Sequence, residues 1–232
     1  KELQAPDGFV SSDEIIEVTV SYQGQDVEVV RLKEIFKNQP TTVEFRKSDL
    51  TTGVELDGAT LTVLDKDGNE IDKWTSVKGE PHIIKRLHVG ETYILREEFA
   101  PYGYLKAEEV EFTITDTAEI QKVEMKDDVP IGRIIINKKG EFLSEVSWND
   151  MVAGAMDSIW GYVTGSLKDV TFEIYAREDI KAADGESDDY YKKDELVATI
   201  KTDELGIART DDLPLGKYYV VEKETADGFV LD

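Results

Sequence analysis

The sequence predicts an all-β chain made of tandem antiparallel β-sandwich modules, and two observations predict it. The first is a phrase written three times: a glutamate, two spacers and a turn that ends in glycine and an aromatic. It reads Glu2 to Ala5-Pro6-Asp7-Gly8-Phe9, Glu97 to Ala100-Pro101-Tyr102-Gly103-Tyr104, and Glu222 to Thr225-Ala226-Asp227-Gly228-Phe229. A phrase recurring at wide spacing marks an array in which each unit is one folded module. The second is a series of short runs rich in Val, Ile, Thr, Tyr and Phe, separated by Gly, Asp and Asn. Such runs read as strands joined by tight turns.

Taken in order, the runs at 42–47, 60–64, 71–75, 82–87, 92–97, 110–115 and 120–126 predict seven strands in the middle of the chain. Asp57-Gly58 and Asp67-Gly68 are turn dipeptides, because glycine accepts the positive φ of a tight hairpin. Seven short strands over about 90 residues suit one two-layered sandwich. Runs at 133–138, 170–176, 196–201 and 218–222 repeat the pattern, lengthened by insertions at 141–166 and 180–194. The opening stretch supplies strand candidates at 15–22 and 27–31 only. The expected organisation is therefore the closing strands of one module at 1–40, a complete module at 41–130, and at 131–232 a module with insertions that lacks its final strand. The first residue, Lys1, is no initiator methionine, which predicts a piece of a longer protein.

Composition narrows the function classes. The net charge is −23, with 50 acidic against 27 basic residues. No Lys/Arg cluster is present, which argues against nucleic acid as a partner. No apolar stretch reaches the roughly 18 residues of a membrane span, and the most apolar segment, 151–160, is interrupted by Gly154, Asp157 and Ser158. The absence of cysteine excludes disulfides, thiolate metal sites and thiol nucleophiles together. Two histidines, His82 and His88, do not make a zinc site, and Asp65, Asp67, Gly68 and Asn69 open like a calcium loop but meet Ser76 at the twelfth position. No metal and no cofactor is expected. The acidic loop 184–189 reads as solvated, with weak calcium binding as its alternative.

Strand parity singles out three ionisable residues. Alternation places Lys47 on the face of Val43 and Phe45, Glu97 on that of Tyr93 and Leu95, and Asp127 on that of Val123 and Met125. The same parity selects Glu97 over Glu98 and Asp127 over Asp128. One reading is that each stands at a strand end and reaches solvent. The other is that all three enter one core. Buried charges pair or neutralise, and desolvation favours the free amine and the neutral acid. A neutral amine beside a neutral carboxyl is a nucleophile beside its electrophile.

These residues lie in motifs that resemble the CnaB-type or SpaA-type (prealbumin-like) repeats of Gram-positive surface adhesins and pilins. The middle module carries the likeness through Phe45-Arg46-Lys47-Ser48-Asp49, Thr52-Gly53, Leu56-Asp57-Gly58-Ala59 and Tyr93-Ile94-Leu95-Arg96-Glu97 with its turn. The last section carries it through Ile134-Ile135-Ile136-Asn137-Lys138, Val170-Thr171-Phe172-Glu173-Ile174-Tyr175-Ala176 and 213–222. The resemblance implies Greek-key, Ig-like sandwiches on an extracellular cell surface, with an autocatalytic isopeptide bond between Lys47 and Asp127 promoted by Glu97. It also implies neighbouring modules as partners and a sortase-made link to the cell wall through parts of the parent outside this sequence. Glu2 and Asn38 are then a partial site without its lysine, and Lys138 with Glu222 a partial site without its acceptor. Two departures from the family pattern stand out: the acceptor is Asp rather than the commoner Asn, so water would leave, and Ala226 replaces the proline of the turn.

The resemblance implies a structural stalk rather than an enzyme with turnover. A bond closing a loop of about 80 residues would add on the order of 4 kcal/mol in the chain-entropy model used for disulfides. A second reading is an adhesin module whose insertions, 141–166 with Trp148 and Trp160 and 180–194, recognise a host or matrix ligand, since loops on rigid scaffolds carry recognition. A third is an enzyme acting on an external substrate, which needs a concave, solvated pocket around the carboxylates.

Overall fold

In the computed structural model the described residues are 1–145 and 160–231, and they form two compact units, Lys1–Asp128 and Val129–Asp232. No helix is present among them. In unit 1, β1 (Thr42–Asp49), β2 (Thr60–Leu64), β3 (Glu70–Thr75), β4 (His82–Lys85), β5 (Thr92–Phe99), β6 (Val110–Thr113) and β7 (Gln121–Asp127) match the seven expected strands closely. They form two sheets, ordered β4-β1-β7 and β3-β2-β5-β6. Each pairing is antiparallel except β1 with β7, which is parallel and registers Lys47 with Met125 and Asp49 with Asp127.

The two inner faces close on each other because alternate residues of each strand are apolar. Val43 and Phe45 of β1, Ile84 of β4 and Val123 and Met125 of β7 pack against Leu61 and Val63 of β2 and Tyr93 and Leu95 of β5. Phe45 sits at the centre, with the Trp74 and Phe112 rings each 5.3 Å away. Trp74 thus packs on the core, and its ring stacks on His82 at 4.1 Å. The turns behave as their dipeptides require: Gly58 and Gly68 both have φ of 84°. Asp65 accepts backbone N–H bonds from Asp67 and Asn69, so the calcium-like segment is a hairpin turn.

The strand candidates at 15–22 and 27–31 are not strands. Their alternating apolar side chains, including Val18, Val20, Tyr22 and Val29, stay exposed. A strand exists only through a partner, and these segments pair with no strand among the described residues. Within unit 1, the hydrogen bonds that hold 1–40 lie near its ends. Val10 N–H donates to Gln39 O at 2.8 Å, Thr41 N–H to Gly8 O at 3.0 Å, and Ser11 N–H to Asp116 Oδ1 at 2.9 Å.

Unit 2 contains β8 (Ile131–Gly132), β9 (Ile135–Asn137), β10 (Lys139–Glu145), β11 (Trp160–Ser166), β12 (Thr171–Ala176), β13 (Leu196–Lys201), β14 (Ile207–Arg209), β15 (Leu213–Pro214) and β16 (Tyr218–Glu224). Its sheets are β13-β12-β16, β14-β9, β15-β8 and the hairpin β10-β11. The first insertion contributes this hairpin, so its described part is extra sheet; Trp148 lies outside the described residues. The second folds back on itself, with Ile180 buried and bridged to Tyr191. Leu213 and Pro214 form a two-residue strand because they pair with Gly132 and Ile131.

Gly8 is the point where the first phrase meets unit 1. Its φ is +79°, and a Cβ there would lie 2.6 Å from Arg86 O. Gly8→Ala is therefore expected to release residues 1–11 from unit 1 while leaving the sandwich folded. Limited proteolysis should show faster cleavage within the first 40 residues and an unchanged resistant core.

Candidate functional site: a buried lysine between two carboxyls

β1, β5 and β7 each run two apolar residues into the core and then one ionisable residue. The result is a cluster at one end of the sandwich: Lys47, Glu97 and Asp127 have side chains with no solvent exposure. Lys47 Nζ is hydrogen-bonded to Asp127 Oδ1 and lies 3.0 Å from Glu97 Oε1. Glu97 reaches inward by the regular alternation of β5 after Tyr93 and Leu95, opposite Leu61 of β2. Its other oxygen, Oε2, accepts the Ala107 N–H at 2.7 Å, which fixes the carboxylate plane. Asp127 Oδ2 and Glu97 Oε1 have no hydrogen-bond donor aligned on them. Of each neighbouring pair one residue is buried: Asp127 and Glu97 are buried, whereas Asp128 is exposed and Glu98 lies outside the core.

The electrostatics are unbalanced by design of the strands: one cation faces two carboxyls. Burial pushes the Asp127 carboxyl up to about 6, against the lowering effect of the hydrogen bond and charge of Lys47; the adjacent Glu97 adds to the rise. Asp127 thus carries its proton far more readily than an aspartate in water.

A second tie, unforeseen in the sequence, supports the cluster. Asp49, two residues beyond Lys47 on the same face, receives the Tyr104 hydroxyl on Oδ2 at 2.8 Å and the Thr51 and Thr52 N–H groups on Oδ1 at 2.7 Å. Burial raises the Asp49 carboxyl, but these hydrogen bonds outweigh it and hold the group below its ordinary value. Tyr104 is the aromatic that ends the middle phrase. The phrase therefore touches β1 twice, through Glu97 at Lys47 and through Tyr104 at Asp49.

The partial sites also assemble. Asn38 Nδ2 donates to Glu2 Oε1 and Oε2 at 2.8 and 2.7 Å and to Val10 O at 3.2 Å. Lys138 Nζ lies 2.7 Å from Glu222 Oε2, with Glu222 nearly buried. Among the described residues no group of His, Asp or Glu has metal-binding geometry. No helix among them is long and apolar enough to cross a membrane.

The family model of the SpaA prealbumin-like fold domain matches residues 41–129 and 162–232, more than half of the chain. The chain belongs to this family. Both stretches follow the two units, so each is a prealbumin-like sandwich domain of the SpaA family. No curated protein matches. Among solved structures, the Bacillus anthracis TIE protein is 26% identical over 100% of this chain, with a TM-score of 0.51; this chain covers 36% of that one, about a third of its length. A streptococcal ancillary pilin matches at 14% identity over 82% of this chain and 55% of its own, TM-score 0.34. The Bacillus cereus major pilin subunit BcpA, as a D312A variant, matches at 12% over 78% of this chain and 87% of its own, TM-score 0.36.

Removing the cation from this SpaA domain should expose the cost of two buried carboxyls. Lys47→Met, which keeps the apolar stem, is expected to destabilise unit 1 by about 3–5 kcal/mol at pH 7. The loss should shrink as pH falls and the carboxyls take up protons, since a raised carboxyl favours the folded state most below its unfolded value. Urea denaturation at pH 7 and pH 4.5 measures both.

Proposed function

We propose that this chain is a stalk segment of a cell-wall-associated, extracellular adhesin or pilin-like protein, in which an isopeptide bond between Lys47 and Asp127 carries tension. The observation that supports this most is the buried contact of an amine with a carboxyl of raised proton affinity, beside a second carboxylate. The bond forms by attack of neutral Lys47 Nζ on Cγ of protonated Asp127. One C–N bond forms, one C–O bond breaks and water leaves. Glu97 takes a proton from the amine and returns it to the departing oxygen. The fold supplies the proximity that a bimolecular amide synthesis lacks.

The strand layout explains why such a bond would serve a stalk. β1 and β7 are parallel neighbours, so tension entering at Thr42 and leaving after Asp127 shears their ladder. With Lys47 joined to Asp127, the tension path runs along β1 to residue 47 and crosses directly to residue 127. Everything between those positions lies outside the stretched path. The cavity beside Lys47 measures about 10 Å³ and holds at most one water, which leaves no space for an external substrate. The triad acts on itself, once, and not as an enzyme with turnover. The described insertions favour the stalk over a ligand-binding module, because β10–β11 is a sheet hairpin and the second insertion is anchored by buried Ile180. Cell-wall attachment through a sortase link belongs to the same reading, as do neighbouring modules as partners.

Intact mass of the purified chain tests the bond. Loss of one water, abolished by Lys47→Ala or Glu97→Ala, is expected; an unchanged mass in fully folded protein overturns the reading. The pH dependence adds a second check. Reaction needs Asp127 in its protonated form, which is lost as pH rises through about 6. Refolded chain should therefore cross-link several-fold faster at pH 5 than at pH 8, followed by mass against time.

A further inference from the structure

Lys47, Glu97 and Asp127 must meet, and each stands near the end of its strand. Lys47 is two residues before the end of β1, Glu97 two before the end of β5, and Asp127 is the last residue of β7. The parallel ladder of β1 and β7 closes on the pair Asp49 and Asp127, so the acceptor occupies the terminal rung. Chain ends of a ladder open at a lower free energy than its middle. Holding the acceptor against the amine therefore calls for a tie beyond the ladder.

The segment after β5 supplies one. It turns back at 101–104, where Gly103 takes a φ of 91° and the Tyr104 N–H donates to Pro101 O at 3.2 Å. The chain then touches all three strands in quick succession. The Tyr104 hydroxyl donates to Asp49 Oδ2 at 2.8 Å, two residues beyond Lys47. The Leu105 N–H donates to Asp128 O at 2.8 Å, one residue beyond Asp127. The Ala107 N–H donates to Glu97 Oε2 at 2.7 Å, and its methyl group packs on the core. At the same level the Leu50 N–H donates to Asp127 O at 2.8 Å, so a shift at the end of β1 is passed directly to the acceptor's backbone.

Of these ties the one from Tyr104 is made by a side chain, and the other two copies of the phrase show what it adds. The turn forms equally well with phenylalanine: the Phe9 N–H donates to Pro6 O at 3.0 Å and the Phe229 N–H to Ala226 O at 3.1 Å. In unit 2 the aromatic also reaches the corresponding place on the lysine's strand. Gly140 lies two residues beyond Lys138, as Asp49 lies two beyond Lys47, and a Cβ at Gly140 would stand 2.5 Å from the Phe229 ring. The packing contact thus needs no polar atom. Beside Lys47 and Asp127 it is made instead by a hydroxyl on a carboxylate, itself braced by the Thr51 and Thr52 N–H groups. A hydrogen bond fixes both distance and direction, which the packing of a ring on a glycine leaves free to slide.

We infer that Tyr104 is a positioning residue for the bond-forming step: through Asp49 it holds the ends of β1 and β7 so that Lys47 Nζ and Asp127 Cγ stay within reacting distance. It touches neither reacting atom and moves no proton. The inference rests on the isopeptide chemistry proposed above, whose balance it leaves unchanged: one C–N bond forms, one C–O bond breaks and water leaves. Displacing reacting atoms by about 1 Å lowers a rate by on the order of a hundredfold, so a single hydrogen bond at this point governs how fast the bond closes.

The test uses chain purified unfolded and unreacted, then refolded. Water loss is followed by intact mass against time, while hydrogen exchange on β1 and β7 reports folding. Tyr104→Phe, which places in the middle phrase the residue that ends the other two, is expected to fold with unchanged protection and to lose water roughly ten- to a hundredfold more slowly than unmodified chain. Asp49→Asn should slow the reaction in the same way, and the double variant should be no slower than Asp49→Asn alone, because both changes break one hydrogen bond. A merely structural role would lower the protection and leave the rate per folded molecule where it was, which overturns the inference. So does Tyr104→Phe reacting within about twofold of the unmodified rate, or a double variant in which the two losses multiply. Unmodified chain that folds and never loses water sinks the isopeptide reading and this one together, whereas full-rate water loss in Tyr104→Phe sinks the positioning role alone.

Discussion

Burial of one ammonium between two carboxyls is the constraint on which unit 1 depends. Nothing in the apolar core compensates Lys47 except Asp127 and Glu97, and neither carboxyl has a full set of donors. The desolvation cost of such a cluster is several kcal/mol per ion, offset only by close contact. The three strands that carry it must therefore hold their registers to well under one residue. A slip of one position along β1 would send Lys47 to solvent and bring Arg46 or Ser48 inward.

That requirement explains the supporting contacts. The Ala107 N–H orients Glu97, and Tyr104 with the Thr51 and Thr52 N–H groups locks Asp49 just past the lysine. Each is a polar tie near the cluster, while Phe45, Leu61, Leu95 and Met125 fill the layers behind it. An isopeptide bond would remove the charges of Lys47 and Asp127, replacing an ammonium and a carboxylate by a neutral amide and leaving Glu97 beside it. A site costly as an ion pair becomes an ordinary buried amide once reacted, which gives the folded chain a thermodynamic reason to react.

Unit 2 repeats part of the same plan. Its lysine and glutamate meet, yet the strand that would carry an acceptor is not among its described elements, and its core is correspondingly small. The contrast between the units separates two contributions. The Lys–Glu contact forms from β9 and β16 positions alone, whereas full burial of the site in unit 1 coincides with the presence of β7.

By itself the sequence determined the strand periods, and with them which residues point inward. That is why the seven strands of unit 1, the turns at Gly58 and Gly68 and the choice of Lys47, Glu97 and Asp127 were legible, since each depends on alternation within one strand or on the φ of one residue. What depends on partners was not legible. Residues 15–22 and 27–31 have the alternation of strands and are not strands, because pairing is decided by which edge is available. The parallel match of β1 with β7, the Tyr104–Asp49 bond and the Ala107 contact to Glu97 join positions 10 to 80 residues apart. Only the tertiary structure could decide them, because hydrogen bonds and desolvation are set by distance in space and not by spacing along the chain.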